Sequence, residues 1–254
     1  LGTVVIALLA LTVVRPHLTP TAILAGLASG ICCATGQANQ FKAFEMVGVS
    51  KVMPVIASLQ VLGTAMFGVF AFHEWKTRES VVFGFLGMLL LLAGVAMASY
   101  TERKAGGSRR VGLAAARTLG LCGLALVGYV VIPKWFNLSG WDCAIPQAAG
   151  IFGTALLYAR MGGRPSFVRS TWVNVIPGLV WATGNFALLF ANRLVGVNTG
   201  MTISQMGVII STLGGIFLLR ERKTHRELIV AVIGIVLIVV GGASVAWARV
   251  KGQG

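Results

Sequence analysis

The sequence predicts an all-α polytopic membrane protein made of two inverted five-helix halves, and three observations carry that reading. Mean hydropathy is +0.85, with 56% hydrophobic and only 11% charged residues, a composition that excludes an ordinary soluble domain. Apolar runs long enough to cross a bilayer follow one another with short connections between them. The first part of the chain also recurs in the second at an almost constant offset.

Taken in order, the spanning runs are Thr21 to Phe41, Val52 to Phe72, Ser80 to Tyr100, Leu113 to Ile132, Cys143 to Ala159, Thr171 to Ala191, Thr199 to Leu219 and Leu228 to Ala248. A ninth run, Leu1 to Val14, is too short at about 1.5 Å per residue to cross a hydrocarbon core of ~30 Å. Pro16, Pro20 and Pro165 mark breaks, and the longest connection, Thr101 to Gly112, is basic. Trp135, Trp141, Tyr100 and Trp247 sit at run ends, where amphipathic rings favour the headgroup layer. Cys32, Cys33, Cys122 and Cys143 show no metal-ligand spacing and read as small packing residues. No cofactor is expected.

The repeat is explicit. Ala34-Thr35-Gly36-Gln37 matches Ala182-Thr183-Gly184-Asn185, Gly48-Val49 matches Gly196-Val197, and Met53 matches Met201, all at an offset of 148. At an offset of 147, His73 to Thr77 matches Arg220 to Thr224, and Gly87 and Gly94 match Gly234 and Gly241. Matched helices lie five spans apart, an odd number, so the halves take opposite orientations, as in many secondary transporters. The halves are 1–100 and 113–248, with a cytoplasmic linker at 101–112 and a tail at 249–254. Symmetry leaves the partner of the Leu113 to Ile132 helix unaccounted for. One further helix is therefore expected upstream of Leu1, making ten in the intact protein with nine visible here.

A net charge of +14 would suggest nucleic acid in a soluble chain, but the basic residues lie between apolar runs. That is the positive-inside pattern, and nucleic acid is not an expected partner. Alternate connections, around Lys42 to Lys51, Arg103 to Arg117, Arg160 to Arg169 and Arg220 to Arg226, hold 14 of the 21 Lys and Arg residues. Those connections are expected in the cytoplasm, with the C-terminus outside.

Polar residues inside the runs point to a cavity, because polar groups are costly in hydrocarbon unless they face water or a neighbouring helix. Asn174, Gly178, Trp181, Asn185, Leu188 and Asn192 share one helical stripe, and Asn198, Thr202, Gln205, Ile209 and Thr212 share the next. The first half repeats the design with Gly30, Cys33, Gln37 and Gln40, then Met53, Ala57, Gln60 and Thr64.

The stretches GQANQFKAFEMVGVSKVMP, SLQVLGTAMFGVFAFHEW and WATGNFALLFANRLVGVNTGMTISQMGVIISTLGGIFLLRERKT resemble the bacterial glucose/ribose porter family of the drug/metabolite transporter superfamily. The similarity runs through nearly the whole chain. It implies a ten-helix inverted repeat in the cytoplasmic membrane and uptake of a monosaccharide such as glucose or ribose, coupled to protons.

The residues suit that substrate. A side-chain amide donates and accepts hydrogen bonds, matching sugar hydroxyls, and an indole face matches the apolar face of the ring. Gln37, Gln40, Gln60, Trp181, Asn185, Thr202 and Gln205 are the candidate substrate-binding set. Taken singly, each amide also fits a role as glue between helices, worth about 0.6–2 kcal/mol. Pro54 and Pro177 are hinge candidates, while packing explains proline kinks equally well. Glu45 is the coupling candidate, although a solvated charge beside Lys42 and Lys51 accounts for it too. His17, His73 and His225 all fall in connections, so no histidine relay is available in the bilayer. A drug or metabolite exporter is the alternative; cationic drugs need a carboxylate in the cavity, and the visible spans have none. A membrane enzyme or sensor fits less well, since no acid or histidine lies within a span to support a nucleophile. Oligomeric state is not legible.

The orientation is checked by topology reporters at Gly107 and Gly254: cytoplasmic at the first and external at the second. Both on one side would contradict an odd number of spans between them.

Overall fold

The computed structural model describes residues 2–13, 17–71, 77–98, 100, 109–138, 140–162, 172–173, 175–195 and 224–252. Among the described residues there are eight helices: α1 Gly2–Val13, α2 Pro20–Val47, α3 Val49–Phe70, α4 Arg78–Ala98, α5 Arg109–Trp135, α6 Gly140–Met161, α7 Val175–Val195 and α8 His225–Gly252. No strand occurs among the described residues. The expected run Thr199 to Leu219, and with it Thr202 and Gln205, lies outside them.

Helix boundaries follow local chemistry. Pro20 opens α2, where its missing N–H belongs to the unpaired first turn, and Thr19 Oγ1 accepts from the Ala22 N–H at 3.1 Å. α2 runs on to Val47, six residues past the apolar run, because only Gly48 breaks it: its φ of 86° is a backbone state that side chains disfavour. Between α5 and α6, Asn137 takes φ 52°, the left-handed state asparagine tolerates. Thr77 Oγ1 accepts from the Ser80 N–H at 3.2 Å to cap α4, and Thr224 Oγ1 accepts from the Glu227 N–H at 3.2 Å to cap α8. Glu227 Oε2 accepts from the Thr224 N–H at 2.9 Å, completing a reciprocal capping box. The two threonines are repeat mates at offset 147.

Among the described residues, α2, α4, α8 and most of α5 are long and apolar enough to cross a membrane, with mean hydropathies of 1.3, 2.5, 2.9 and 1.8. α3, α6 and α7 have 21 or 22 residues, or ~32 Å of rise, which matches the thickness of a hydrocarbon core in length. Burial is the reverse of a soluble core. The largest fully buried side chains are Leu91, Val52, Cys33, Cys122, Cys143, Ser29 and Ser80, while Phe83, Phe85, Leu86, Leu89 and Leu92 of α4 are exposed. Lipid is the solvent for the large residues, and helices meet through small ones. Cys33, Cys122 and Cys143 are buried among the helices, which matches their reading as packing residues. Trp135, Tyr100 and Trp247 are exposed at helix ends.

The chain divides into two compact units. The first comprises Leu1–Ala38 and Ala125–Leu194. There α2 and α6 run parallel and close: a methyl on Gly150 would lie 2.5 Å from the Leu27 carbonyl oxygen, and one on Gly30 would collide with the Gln147 carbonyl. Gly2 of α1 abuts Gly178 of α7 in the same way. At offset 148 Gly2 corresponds to Gly150 and Gly30 to Gly178, so each contact is the repeat image of the other.

The second unit comprises Asn39–Leu124 and Val195–Gly254. α4 and α8 pack antiparallel there, around Leu91, Ala98 and Ile238. A methyl on Gly87 would sit 2.7 Å from the Gly241 carbonyl oxygen, and one on Gly94 would sit 2.6 Å from that of Gly234. Since Gly87 and Gly94 are the mates of Gly234 and Gly241, exchanging the two helices maps this contact onto itself.

Gly94→Val should force α4 and α8 apart and cost about 1–3 kcal/mol, as overpacking does. Gly120→Ala, with open space around it, should be neutral or stabilising by up to about 1 kcal/mol. Melting in detergent compares the two, and equal effects would contradict the close contact.

Candidate functional site

The first unit has a small, partly open cavity of about 10 Å³, lined by Thr3, Ala144, Gln147, Ala148, Ile151, Trp181, Ala182 and Asn185. The lining follows helical spacing. Ala144, Gln147, Ala148 and Ile151 form one stripe of α6, and Trp181, Ala182 and Asn185 one stripe of α7. Alanines beside the amides leave space that larger residues would fill.

A hydrogen-bonded chain ties four helices together around this space. Gln147 Nε2 donates to Ser29 Oγ at 2.8 Å, and Ser29 Oγ donates to the Tyr129 main-chain oxygen at 2.7 Å. Tyr129 Oη donates to Asn185 Oδ1 at 2.7 Å. α2, α5, α6 and α7 each contribute one member. Ser29 and Gln147 are buried, and Trp181 is 37% exposed with its neighbour Ala182 buried. Nearby, Tyr158 Oη donates to Thr35 Oγ1 at 3.3 Å, and the His17 N–H donates to Asp142 Oδ1 at 2.8 Å where the α1–α2 connection meets the start of α6.

Of the residues singled out in the sequence, Trp181 and Asn185 meet at the cavity. Gln37 is half-buried in the same unit. Gln40 and Gln60 belong to the second unit, where Gln40 Nε2 donates to Met53 Sδ at 3.1 Å between α2 and α3. That contact is the interhelical role amides take in membranes. Thr64 turns back on its own helix, donating to the carbonyls of Gln60 and Val61. Glu45 is exposed on α2, Pro54 lies within α3, and Pro177 is the third residue of α7. Near a helix start a proline removes no hydrogen bond, so Pro177 leaves α7 unbroken.

Sequence reasoning missed Gln147, Tyr129 and Ser29. Gln147 had the same signal as the chosen amides, a carboxamide inside an apolar run, but no polar stripe led to it. A tyrosine in mid-run is equally anomalous, since its hydroxyl needs a partner.

Chemically, the walls offer an indole, two carboxamides and a threonine hydroxyl, neutral groups that donate and accept hydrogen bonds beside one aromatic face. The volume accommodates about one water molecule, so admitting anything larger requires the walls to part.

The sequence profile of the sugar transport protein family matches residues 1–248. The chain belongs to that family. A Listeria monocytogenes protein provisionally named for sugar uptake is 47% identical over 238 residues, covering 92% of this chain and 82% of the relative. The glucose uptake protein GlcU of Bacillus subtilis is 36% identical over 246 residues, covering 94% and 83%. "Probable glucose uptake protein GlcU" of Priestia megaterium is 38% identical over 243 residues, covering 93% and 83%. These findings and the apolar helices make this a bacterial multi-pass membrane protein, and a transport protein rather than an enzyme.

Gln147→Leu removes the donor to Ser29 Oγ while leaving that hydroxyl bonded to the Tyr129 carbonyl, and should lower stability by about 0.5–1.5 kcal/mol. Adding Ser29→Ala should return part of that loss, because removing both partners of a buried bond is often nearly neutral. Additive losses in detergent melting would show that the two side chains do not meet.

Proposed function

We propose that this chain imports a monosaccharide such as glucose or ribose across the cytoplasmic membrane by alternating access. The observation that carries the reading is the cavity between α6 and α7, whose lining brings Trp181 together with Gln147 and Asn185. An indole with amides answers the two faces of a sugar, and the relatives named for sugar and glucose uptake agree with it.

The inverted repeat belongs to the same proposal. Its support is the exchange symmetry of the glycine contacts, Gly2 with Gly178 against Gly150 with Gly30, and Gly87 with Gly241 against Gly94 with Gly234. Repeat halves that rock around a midplane site pass a substrate across without opening a continuous pore. Proton coupling completes the proposal, with Glu45 the first residue to test. Export of cationic drugs is disfavoured, since the one carboxylate in residues 1–38 and 125–194 is Asp142, in the first turn of α6 and not in the cavity lining.

Uptake of radiolabelled glucose and ribose into proteoliposomes, with and without an inward proton gradient, tests substrate and coupling together. Accumulation of neither sugar would remove the proposal, and accumulation indifferent to the gradient would remove protons as the driving ion. Trp181→Ala should weaken apparent affinity about 2- to 10-fold, given about 0.5–1.5 kcal/mol for an aromatic face, and Trp181→Phe less. Gln37→Ala and Gln205→Ala extend the test to the other expected contacts.

A further inference from the structure

We infer that Tyr129 and Ser29 are positioning residues that set the hydrogen-bond polarity of the cavity, presenting a ligand with an amide donor on α7 and an amide acceptor on α6. The inference rests on the sugar-site reading above and deepens it. Such a pair is the complement of two sugar hydroxyls used in opposite senses, one accepting and one donating.

A carboxamide is nearly symmetric in shape, so its polarity is decided by its neighbours. On the α6 side the decision starts from a main-chain carbonyl, which only accepts. The Tyr129 oxygen lies 2.7 Å from Ser29 Oγ, so the single serine proton is directed to it. Ser29 is then left with lone pairs towards Gln147, and the group facing it at 2.8 Å is the Nε2 donor. The Gln147 carbonyl Oε1 is what this residue retains as an acceptor for a ligand. On the α7 side the phenol of the same tyrosine donates to Asn185 Oδ1, at the 2.7 Å typical of an O–H···O bond. Asn185 keeps its Nδ2 donors. Both amides and Trp181 line the one cavity.

Tyr129 thus reaches both walls from one point on α5: its carbonyl, through Ser29, sets the sense of Gln147, and its hydroxyl donates to Asn185 Oδ1. The tyrosine itself is held by its helix: Val127 and Val131 are buried on either side, and Gly128 lies close to Cys32 of α2. Interhelical glue needs only that each amide have some partner. A binding site needs each amide to point one chosen way, and here a carbonyl fixes one of them.

The test uses the whole protein in detergent and measures binding of tritiated D-glucose per correctly folded molecule. Tyr129→Phe deletes one hydroxyl and should weaken binding about 3- to 10-fold, the range of one neutral hydrogen bond. In an Asn185→Ala background the same change should cost nothing more, and Ser29→Ala should be silent likewise over Gln147→Ala. A second readout uses monodeoxy and monodeoxyfluoro glucoses, because fluorine accepts weakly and cannot donate. At one ring position the fluoro sugar should bind no better than the deoxy sugar, since the missing donor faces Gln147. At another it should bind better, since only an acceptor is required by Asn185, and Tyr129→Phe should erase that advantage.

Unchanged affinity in Tyr129→Phe and Ser29→Ala, with weakened binding in Asn185→Ala and Gln147→Ala, overturns the inference and leaves the sugar site standing. Unchanged affinity in all four removes the site as well, as does a parent protein that binds neither D-glucose nor D-ribose. Should a variant fail to fold, the analogue series on the parent protein decides alone: equal deoxy and deoxyfluoro losses at every position overturn the polarity.

Discussion

Hydrocarbon offers helices neither hydrogen bonds nor a hydrophobic reason to meet, and the structure depends on how the chain answers that condition. Attraction between spanning helices has to come from close backbone approach and from polar groups that satisfy one another. The first appears where Gly94 faces Gly234, where Gly87 faces Gly241, and where α2 and α6 touch at Gly30 and Gly150. The second appears in the chain from Gln147 through Ser29 to Tyr129 and on to Asn185. Glycines and hydrogen-bonded polar residues take the helix contacts, while most of the large apolar residues of α4, Phe83, Phe85, Leu86, Leu89 and Leu92, lie outside.

Much of this was legible beforehand. Apolar runs gave the helices to within a few residues at most ends, since run length in a bilayer is fixed by thickness rather than by tertiary context. The exception, α2, outran its apolar stretch because helix propensity does not stop at Phe41 and only Gly48 forces the corner. The offset of 147 also named in advance the four glycines that pack α4 against α8. The site was legible only in part. Trp181 and Asn185 stood out because they share a stripe with other polar residues, whereas Gln147, Tyr129 and Ser29 lie on three different helices and belong to none of the stripes named from the sequence. No periodicity along one segment links residues that meet only across a bundle. Gln40 carried the same signal as Asn185 and instead meets Met53, so an amide in an apolar run marks a buried contact without saying to what.

The repeat does not extend to the chemistry of the walls. At offset 148 Trp181 corresponds to Cys33, and Asn185 to Gln37. The backbone contacts are exchangeable while the side chains that can touch a ligand are not. A sugar has no two-fold axis, so a site made of identical halves would bind it in two competing poses. Divergence at Cys33 and Trp181 keeps the symmetric framework and gives the cavity one aromatic wall.

The inverted burial pattern has a consequence for how such a chain tolerates change over evolutionary time. In a soluble protein the large apolar residues are the ones that drift least, because they fill an interior with defined shape. Here Phe85, Leu89 and Leu92 face outward, into a fluid that accepts any apolar side chain of roughly similar bulk. Ala22, Ala25, Ser29 and Cys33 face inward along α2, beside Gly26 and Gly30, where one added carbon meets the backbone of α6. Divergence among homologues should therefore accumulate in the bulky residues and spare the small ones, so that the family's memory of its fold is written mainly in glycine, alanine, serine and cysteine.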